Sequence, residues 1–307
     1  MEIRVVFLGT AGAVPTPKRS LPAVLVRQKS ELLMFDCGEG AQRQMMIAKS
    51  GFQRKMKVFI THLHGDHVLG LPGLLQTMAM LNREKPLDIY GPLGVRSLLD
   101  DVRRSIQFVL TFPVQIHEII QAGIICEEED YGIEAVWSDH VVPSLAYAFV
   151  EKPRPGKFHP EKAEKLGVPE GVLWSTLQKG QNVRLPSGRV VKPSEVMDRS
   201  RPGRKIVYTG DTRIFSGLVA FSKGADLLIH DCTLDDELAD KAKEDGHSTP
   251  SQAAEIAKKA KVKKLVLTHI SARYEDVAKL LEQARRVFRN AVVAEDFMEI
   301  EVPLRER

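Results

Sequence analysis

Short apolar runs alternate along this chain with stretches whose apolar residues return every three or four positions. Arg4–Leu8, Ala23–Val26, Leu32–Phe35, Val58–Thr61 and Leu87–Tyr90 are brief and apolar, which predicts strands. The spacing predicts helices from about His67 to Asn82 and over Val95–Ile106. Ile133–Trp137 is a further apolar run. After residue 205 the alternation resumes, with strands at Lys205–Thr209, Leu227–His230 and Leu265–Thr268. Helices are expected near Leu218, over Pro250–Ala260 and from Glu275 to Val287. Strands and helices taken in turn argue for an α/β layered fold.

The middle breaks this rhythm. Residues 151–205 hold 7 of the 17 prolines and 6 of the 22 glycines, which interrupt any long helix or strand. They also hold 13 Lys and Arg against 6 Asp and Glu, a local charge of +7, and the whole chain is +4, so the remainder is −3. A basic insertion thus sits within a slightly acidic body. Long loops inside a compact domain are uncommon unless they serve a function or are disordered.

Composition narrows the class. A chain of 307 residues with 43% hydrophobic and 27% charged residues can bury a sizeable core as one large domain, 1–307. The net charge by itself does not call for a nucleic-acid partner. Cys37, Cys126 and Cys232 are far apart, with no CxxC pair, which fits a reducing cytoplasm. Met1–Leu8 carries Glu2 and Arg4 within its apolar run and reads as a strand, not a signal peptide. No apolar run approaches the ~20 residues that a membrane helix needs.

The densest chemistry lies in Thr61-His62-Leu63-His64-Gly65-Asp66-His67, which follows a predicted strand and precedes a predicted helix. Imidazole and carboxylate together suit zinc and similar first-row metals. His62 and His64 are two apart at a strand end and point to one side, while Asp66 and His67 open the helix and point elsewhere. One segment can therefore feed two metals about 3.5–4 Å apart. Further candidates close downstream apolar runs: His140 after Ile133–Trp137, Asp211 after Tyr208, and His269 after Leu265–Thr268. Asp211 is the one carboxylate of this set besides Asp66, and a carboxylate can bridge two cations.

In this order the residues resemble the metallo-β-lactamase superfamily, whose H-x-H-x-D-H motif is followed by a His, a bridging Asp and a last His. The resemblance implies an αβ/βα four-layer sandwich holding two zinc ions. His62, His64 and His140 would bind one metal, Asp66, His67 and His269 the other, and Asp211 would bridge. Asp36, in Phe35-Asp36-Cys37-Gly38, matches an early Asp-x-Gly segment that orients ligands.

Finer matches are similar to the ribonuclease Z family, which removes the 3′ trailer from precursor tRNA. They include Phe7-Leu8-Gly9-Thr10, Gly70-Leu71-Pro72-Gly73-Leu74-Leu75, Gly210-Asp211-Thr212-Arg213, His247-Ser248-Thr249 and Thr268-His269-Ile270-Ser271-Ala272-Arg273-Tyr274. Residues 151–205 fall where short members carry a protruding, flexible, basic tRNA-binding arm. Two segments depart from the family's usual form. In Pro15-Thr16-Pro17-Lys18-Arg19-Ser20, Arg19 is in place, but Pro17 and Ser20 stand where Lys and Asn are usual. His230-Asp231-Cys232-Thr233 stands where His-Glu-Ala-Thr is usual, leaving Asp231 as a shorter partner for His247.

The resemblance implies hydrolysis with Asp66 as proton acceptor and His247 as the group that stabilises phosphate or protonates the leaving oxygen. Arg19, Lys18, Arg273 and Ser271 would contact the substrate, and a homodimer would form. Two rivals have other functions. A thioesterase, lactonase or arylsulfatase-like hydrolase would need neither His247-Ser248-Thr249 nor a basic arm. An inactive RNA-binding relative would be expected to have lost a ligand.

Overall fold

Side chains of the first strand sort by parity. In Ile3–Gly9, residues Ile3, Val5 and Phe7 enter one apolar cluster while Val6 and Leu8 enter another. Both faces are buried, so the run lacks the alternating polar residues of a half-exposed strand. In Leu145–Glu151, the large Leu145, Tyr147 and Phe149 join the first cluster, and the small Ala146 and Ala148 join a third. The structure, a computed structural model, describes residues 2–305.

Two seven-stranded sheets result. The first has the spatial order Glu299–Val302, Ile3–Gly9, Ala23–Gln28, Glu31–Phe35, Lys55–Phe59, Leu87–Pro92, Val114–Ile119. Its pairings are antiparallel as far as Glu31–Phe35 and parallel from there on. The second sheet has the order Ala291–Val293, Lys264–Thr268, Leu227–Asp231, Lys205–Tyr208, Leu145–Glu151, Tyr131–Trp137, Gly123–Glu127. Here the pairings are parallel up to Lys205–Tyr208, which then meets Leu145–Glu151 antiparallel.

The first cluster lies between the sheets and is aromatic at its centre. Phe59 stacks on Phe35 and Tyr90 with ring centroids 5.2 and 5.0 Å apart, and Tyr147 tilts against it at 5.6 Å. Each such buried ring contributes about 1.5–3 kcal/mol by burial alone. Helices Ala41–Ile47, Gly70–Met80 and Val95–Ile106 cover the outer face of the first sheet. Ser216–Phe221, Pro250–Lys259 and Ala278–Val287 cover that of the second. The layers run helix, sheet, sheet, helix, the αβ/βα sandwich expected.

Several elements depart from the sequence pattern. The helix expected over His67–Asn82 is interrupted at Leu69 into Gly65–Val68 and Gly70–Met80. Gly70 is the cause: its N–H donates to Cys37 O at 2.9 Å, and a Cβ there would lie 1.9 Å from Gly38 O. The helix expected from Glu275 begins at Ala278, because the Asp276 carboxylate takes the Ala278 N–H at 2.8 Å and holds the preceding residues in a turn. Among the described residues no helix is long and apolar enough to cross a membrane, and the three cysteines are free and buried.

The chain divides into two compact units, one of residues 1–150 and 205–303, the other including Glu151–Arg204. Lys205, last residue of the basic stretch, opens the strand Lys205–Tyr208 of the first unit. The second unit has helices Pro160–Lys165, Val172–Gln178 and Pro193–Val196, and a small hairpin of Val183–Arg184 with Val190–Val191. It has its own core, in which Ala163, Val168, Leu177, Val183, Leu185, Val191 and Val196 are buried and Phe158 packs on Trp174. Arg204 donates through Nη2 to buried Glu151 Oε1 at 2.6 Å, and Arg154 and Arg201 exchange backbone hydrogen bonds.

Candidate metal centre

The motif strand Lys55–Phe59 ends over the aromatic core, where Tyr147 Oη donates to Ile60 O at 2.7 Å. The next residue, Thr61, donates through N and Oγ1 to Asp36 Oδ1 at 2.7 and 2.9 Å. Asp36 has φ 58°, in the left-handed region that Asp tolerates better than most residues. Its Oδ2 also accepts Tyr208 Oη from the second sheet at 2.8 Å and lies 2.7 Å from His67 Nδ1. One buried carboxylate thus ties the motif, a candidate ligand and the facing sheet together. The short helix Gly65–Val68 then carries Asp66 and His67.

Three groups of donor atoms converge, two of which divide the candidate ligands between them; the third, Asp211, His247 and His269, overlaps both sides of the centre. His62, His64, His140 and Asp211 form one of the two, and Asp66, His67 and His269 the other, with the ligand atoms of each within 4.8 Å of one another. Asp211 Oδ2 lies 3.3 Å from both His67 Nε2 and His269 Nε2 and 3.7 Å from His62 Nε2, so it stands between the groups. Its Oδ1 is buried with no hydrogen-bond partner.

The outer ring nitrogens are engaged. His62 Nδ1 lies 2.9 Å from Thr61 Oγ1, His140 Nδ1 2.8 Å from Gly246 O, and His269 Nδ1 2.7 Å from Thr233 Oγ1. Thr233 Oγ1 in turn donates to Asp231 Oδ1 at 2.7 Å, so it accepts from His269. These partners turn the Nε2 lone pairs of His62, His140 and His269 inward, where His269 Nε2 lies 3.3 Å from Asp211 Oδ2 and both His62 Nε2 and His140 Nε2 approach His64 Nδ1, at 3.0 and 3.3 Å. Buried acceptors turned on acceptors are unfavourable unless a cation lies among them. Burial, then the neighbouring His67, lowers the pKa of His62 to about 2, and burial also lowers His64 and His140. Neutral imidazoles are the form that ligates. Burial would lower His67 as well, but the Asp211 and Asp36 carboxylates outweigh it and push it up, a local surplus of negative charge. Imidazole nitrogens and carboxylate oxygens converging in this way fit a first-row metal, whose positive charge would offset that surplus.

His247 stands beside these groups. Its Nδ1 is 2.9 Å from Asp231 Oδ2 and 3.9 Å from Asp211 Oδ2. Burial opposes its protonation, but Asp231 overrides this and raises its pKa to about 9. Asp231 also accepts the Ser248 and Thr212 N–H groups at 3.2 Å each. A capping box between Thr249 and Gln252 starts the helix Pro250–Lys259 and so fixes the loop. Of the expected substrate contacts, Lys18 and Arg273 are exposed and Ser271 is half-buried. Arg19 is half-buried and turned partly inward, its Nη1 donating to Thr10 Oγ1 at 2.7 Å and Ala294 O at 2.6 Å.

Comparison with known proteins places this chain in a family. A family profile described as a beta-lactamase superfamily domain matches residues 170–270, and one described as anti-Pycsar protein Apyc1 matches residues 3–121. The ribonuclease Z of Methanosarcina acetivorans is 48% identical over 99% of this chain and 99% of its own, and that of Haloferax volcanii 47% over 99% and 96%. The chain belongs to the ribonuclease Z family. A crystal structure of human tRNase Z, short form, is 34% identical with a TM-score of 0.72, covering 98% of this chain and 100% of its own. The metallo-beta-lactamase fold protein YhfI of Bacillus subtilis, at 18% identity and TM-score 0.69, shares the fold.

In this ribonuclease Z chain, sequence reasoning misses the residues that hold the ligands. Thr61, Thr233 and Tyr208 are ordinary polar residues within strands or loops, and only their contacts with His62, His269 and Asp36 give them a role. Gly246 orients His140 through a backbone carbonyl, which carries no sequence signal beyond the glycine's φ of 87°.

Proposed function

We propose that this chain removes the 3′ trailer from precursor tRNA with two zinc ions, leaving a 3′-hydroxyl on the tRNA and a 5′-phosphate on the trailer. One observation carries the reading: two converging donor groups share Asp211, with the His247–Asp231 pair alongside, in a chain 48% identical to a ribonuclease Z over its length. Bound in these groups, the metals would supply Lewis acidity toward phosphate and lower the pKa of water to near 7. His62, His64 and His140 would hold one ion, Asp66, His67 and His269 the other, and Asp211 both.

Asp66 accepts the proton of the attacking water as its oxygen bonds to phosphorus. His247, which holds a proton at neutral pH, gives it to the 3′ oxygen as the P–O3′ bond breaks. Asp231 keeps Nδ1 engaged and so aims the Nε2 proton outward. Lys18 and Arg273 meet phosphates near the cut. The basic unit Glu151–Arg204, with Lys162, Lys165, Lys179, Arg184 and Lys192 exposed, binds phosphates of the tRNA body remote from it. Met46, Ile47, Leu69 and Met80, exposed on or beside neighbouring helices, supply apolar surface for a homodimer.

Incubation with a tRNA bearing a 3′ trailer should yield one cut and these two ends, and metal analysis should find about two zinc ions per chain. An intact precursor despite full metal loading would overturn the substrate, and full activity with a single ion would overturn the dinuclear centre. His247→Ala should lower kcat by about 10²–10⁴-fold while metal content and tRNA affinity hold. Loss of metal in that variant would show His247 to be a ligand instead.

A further inference from the structure

The loop between Thr10 and Ser20 is fastened at one end to the metal centre. Ala13, at φ 58°, donates its N–H to Asp66 Oδ2 at 2.9 Å. Ala11–Gly12 pairs with Ile270–Ser271 directly after His269, and a Cβ at Gly12 would lie 2.7 Å from His269 Nδ1. The loop closes on itself through Ala11 N to Ser20 O at 2.9 Å. A turn in which Thr16 and Arg19 exchange backbone hydrogen bonds then presents Lys18 to solvent.

The other fastening comes from far along the chain. Asp296 lies between the strands Ala291–Val293 and Glu299–Val302. Its Oδ1 accepts Thr10 Oγ1 at 2.8 Å, and its Oδ2 accepts Ser20 N at 2.7 Å and Gln44 Nε2 at 3.2 Å. It therefore grips the residues just before and at the end of the loop. Thr10 Oγ1 passes the restraint on, because it also accepts Arg19 Nη1. Arg19 is drawn toward Ala294 O of the same segment.

We propose that Asp296 is a positioning residue for the substrate's 3′ end, setting the loop, with Arg19 as an inward tie, so that Lys18 meets a phosphate flanking the cut. The inference rests on the proposed precursor-tRNA reading. Asp296 touches no candidate ligand, so its loss loosens the loop without emptying the centre. A loose loop binds the strand in several registers, so the cut spreads and affinity falls.

The test compares zinc-loaded wild type, Asp296→Asn and Thr10→Val on a trailer-bearing tRNA and on bis(p-nitrophenyl) phosphate. Asp296→Asn removes one acceptor oxygen, and Thr10→Val removes the hydroxyl at nearly constant volume. Each should lower kcat/KM for the tRNA about tenfold, mostly through KM, and scatter the cut over neighbouring positions. Zinc content and turnover of the small substrate should stay at wild-type values. The double variant should lose little more than either single one, because both cut the same restraint. An unchanged cut position and KM would overturn the proposal, as would an equal fall in both activities with loss of zinc. Should Asp296→Asn not fold, Thr10→Val decides. If wild type hydrolyses the small substrate and leaves the tRNA intact, the functional reading fails instead.

Discussion

Asp66→Ala should slow hydrolysis of both small phosphodiesters and precursor tRNA by about 10²–10⁴-fold at saturating zinc. The Asp66 carboxylate is placed for two tasks at once. Its Oδ2 lies 3.4 Å from His67 Nε2 and 3.3 Å from His269 Nε2, within the second donor group. Burial alone would raise its pKa, but His269 and His67 outweigh this and hold it well below the usual carboxylate range, so it is ionised at neutral pH. Asp66→Asn keeps an oxygen for ligation but cannot take a proton. It should therefore retain more zinc than Asp66→Ala while recovering little turnover. Steady-state kinetics with metal analysis on the same samples decides: near-wild-type turnover in either variant removes the proton-accepting role.

Replacing residues 155–200 with a short turn should lower precursor-tRNA cleavage by about a hundredfold or more and spare bis(p-nitrophenyl) phosphate hydrolysis. The excision keeps the buried Glu151–Arg204 pair and the Arg154–Arg201 bridge, which closes naturally into a hairpin. The removed part has its own apolar cluster, and the three clusters of the sandwich are built from residues outside it. Neutralised phosphates release counterions, so tRNA affinity of the intact chain should fall steeply with salt, and the excised chain should show a flatter slope. Binding measured at several salt concentrations checks the slope. If zinc content and small-substrate turnover collapse with the excision, this unit belongs to the structural core.

The candidate ligands are legible in the sequence because each follows a short apolar strand or, like Asp66 and His67, opens the helix after one, where residue type and local order agree. Asp36 is legible only by resemblance, since its grip on Thr61, Tyr208 and His67 joins segments from both sheets. Residues 113–151 are harder. They form four strands, yet Val114–Ile119 and Gly123–Glu127 mix Gln, His and Glu with isoleucines, and pairing with neighbours decides their state. Glu299–Val302 is invisible locally for the same reason, its partner Ile3–Gly9 lying at the far end of the chain. The prolines and glycines of 151–205 correctly forbid long elements, but they hide the cluster that Ala163, Leu177 and Val196 build across three short helices.

The strand exchange between the two halves of the sandwich bears on how the protein survives damage. The first half lends Tyr131–Trp137 and Leu145–Glu151 to the second sheet, and the last half returns Glu299–Val302 to the edge of the first. His62, His64, Asp66, His67 and His140 precede the inserted unit and Asp211 and His269 follow it. A protease nick inside the insertion would thus yield two fragments that remain interlocked and share one centre. Neither fragment expressed alone holds all seven candidate ligands, so activity should reappear only when both are made together.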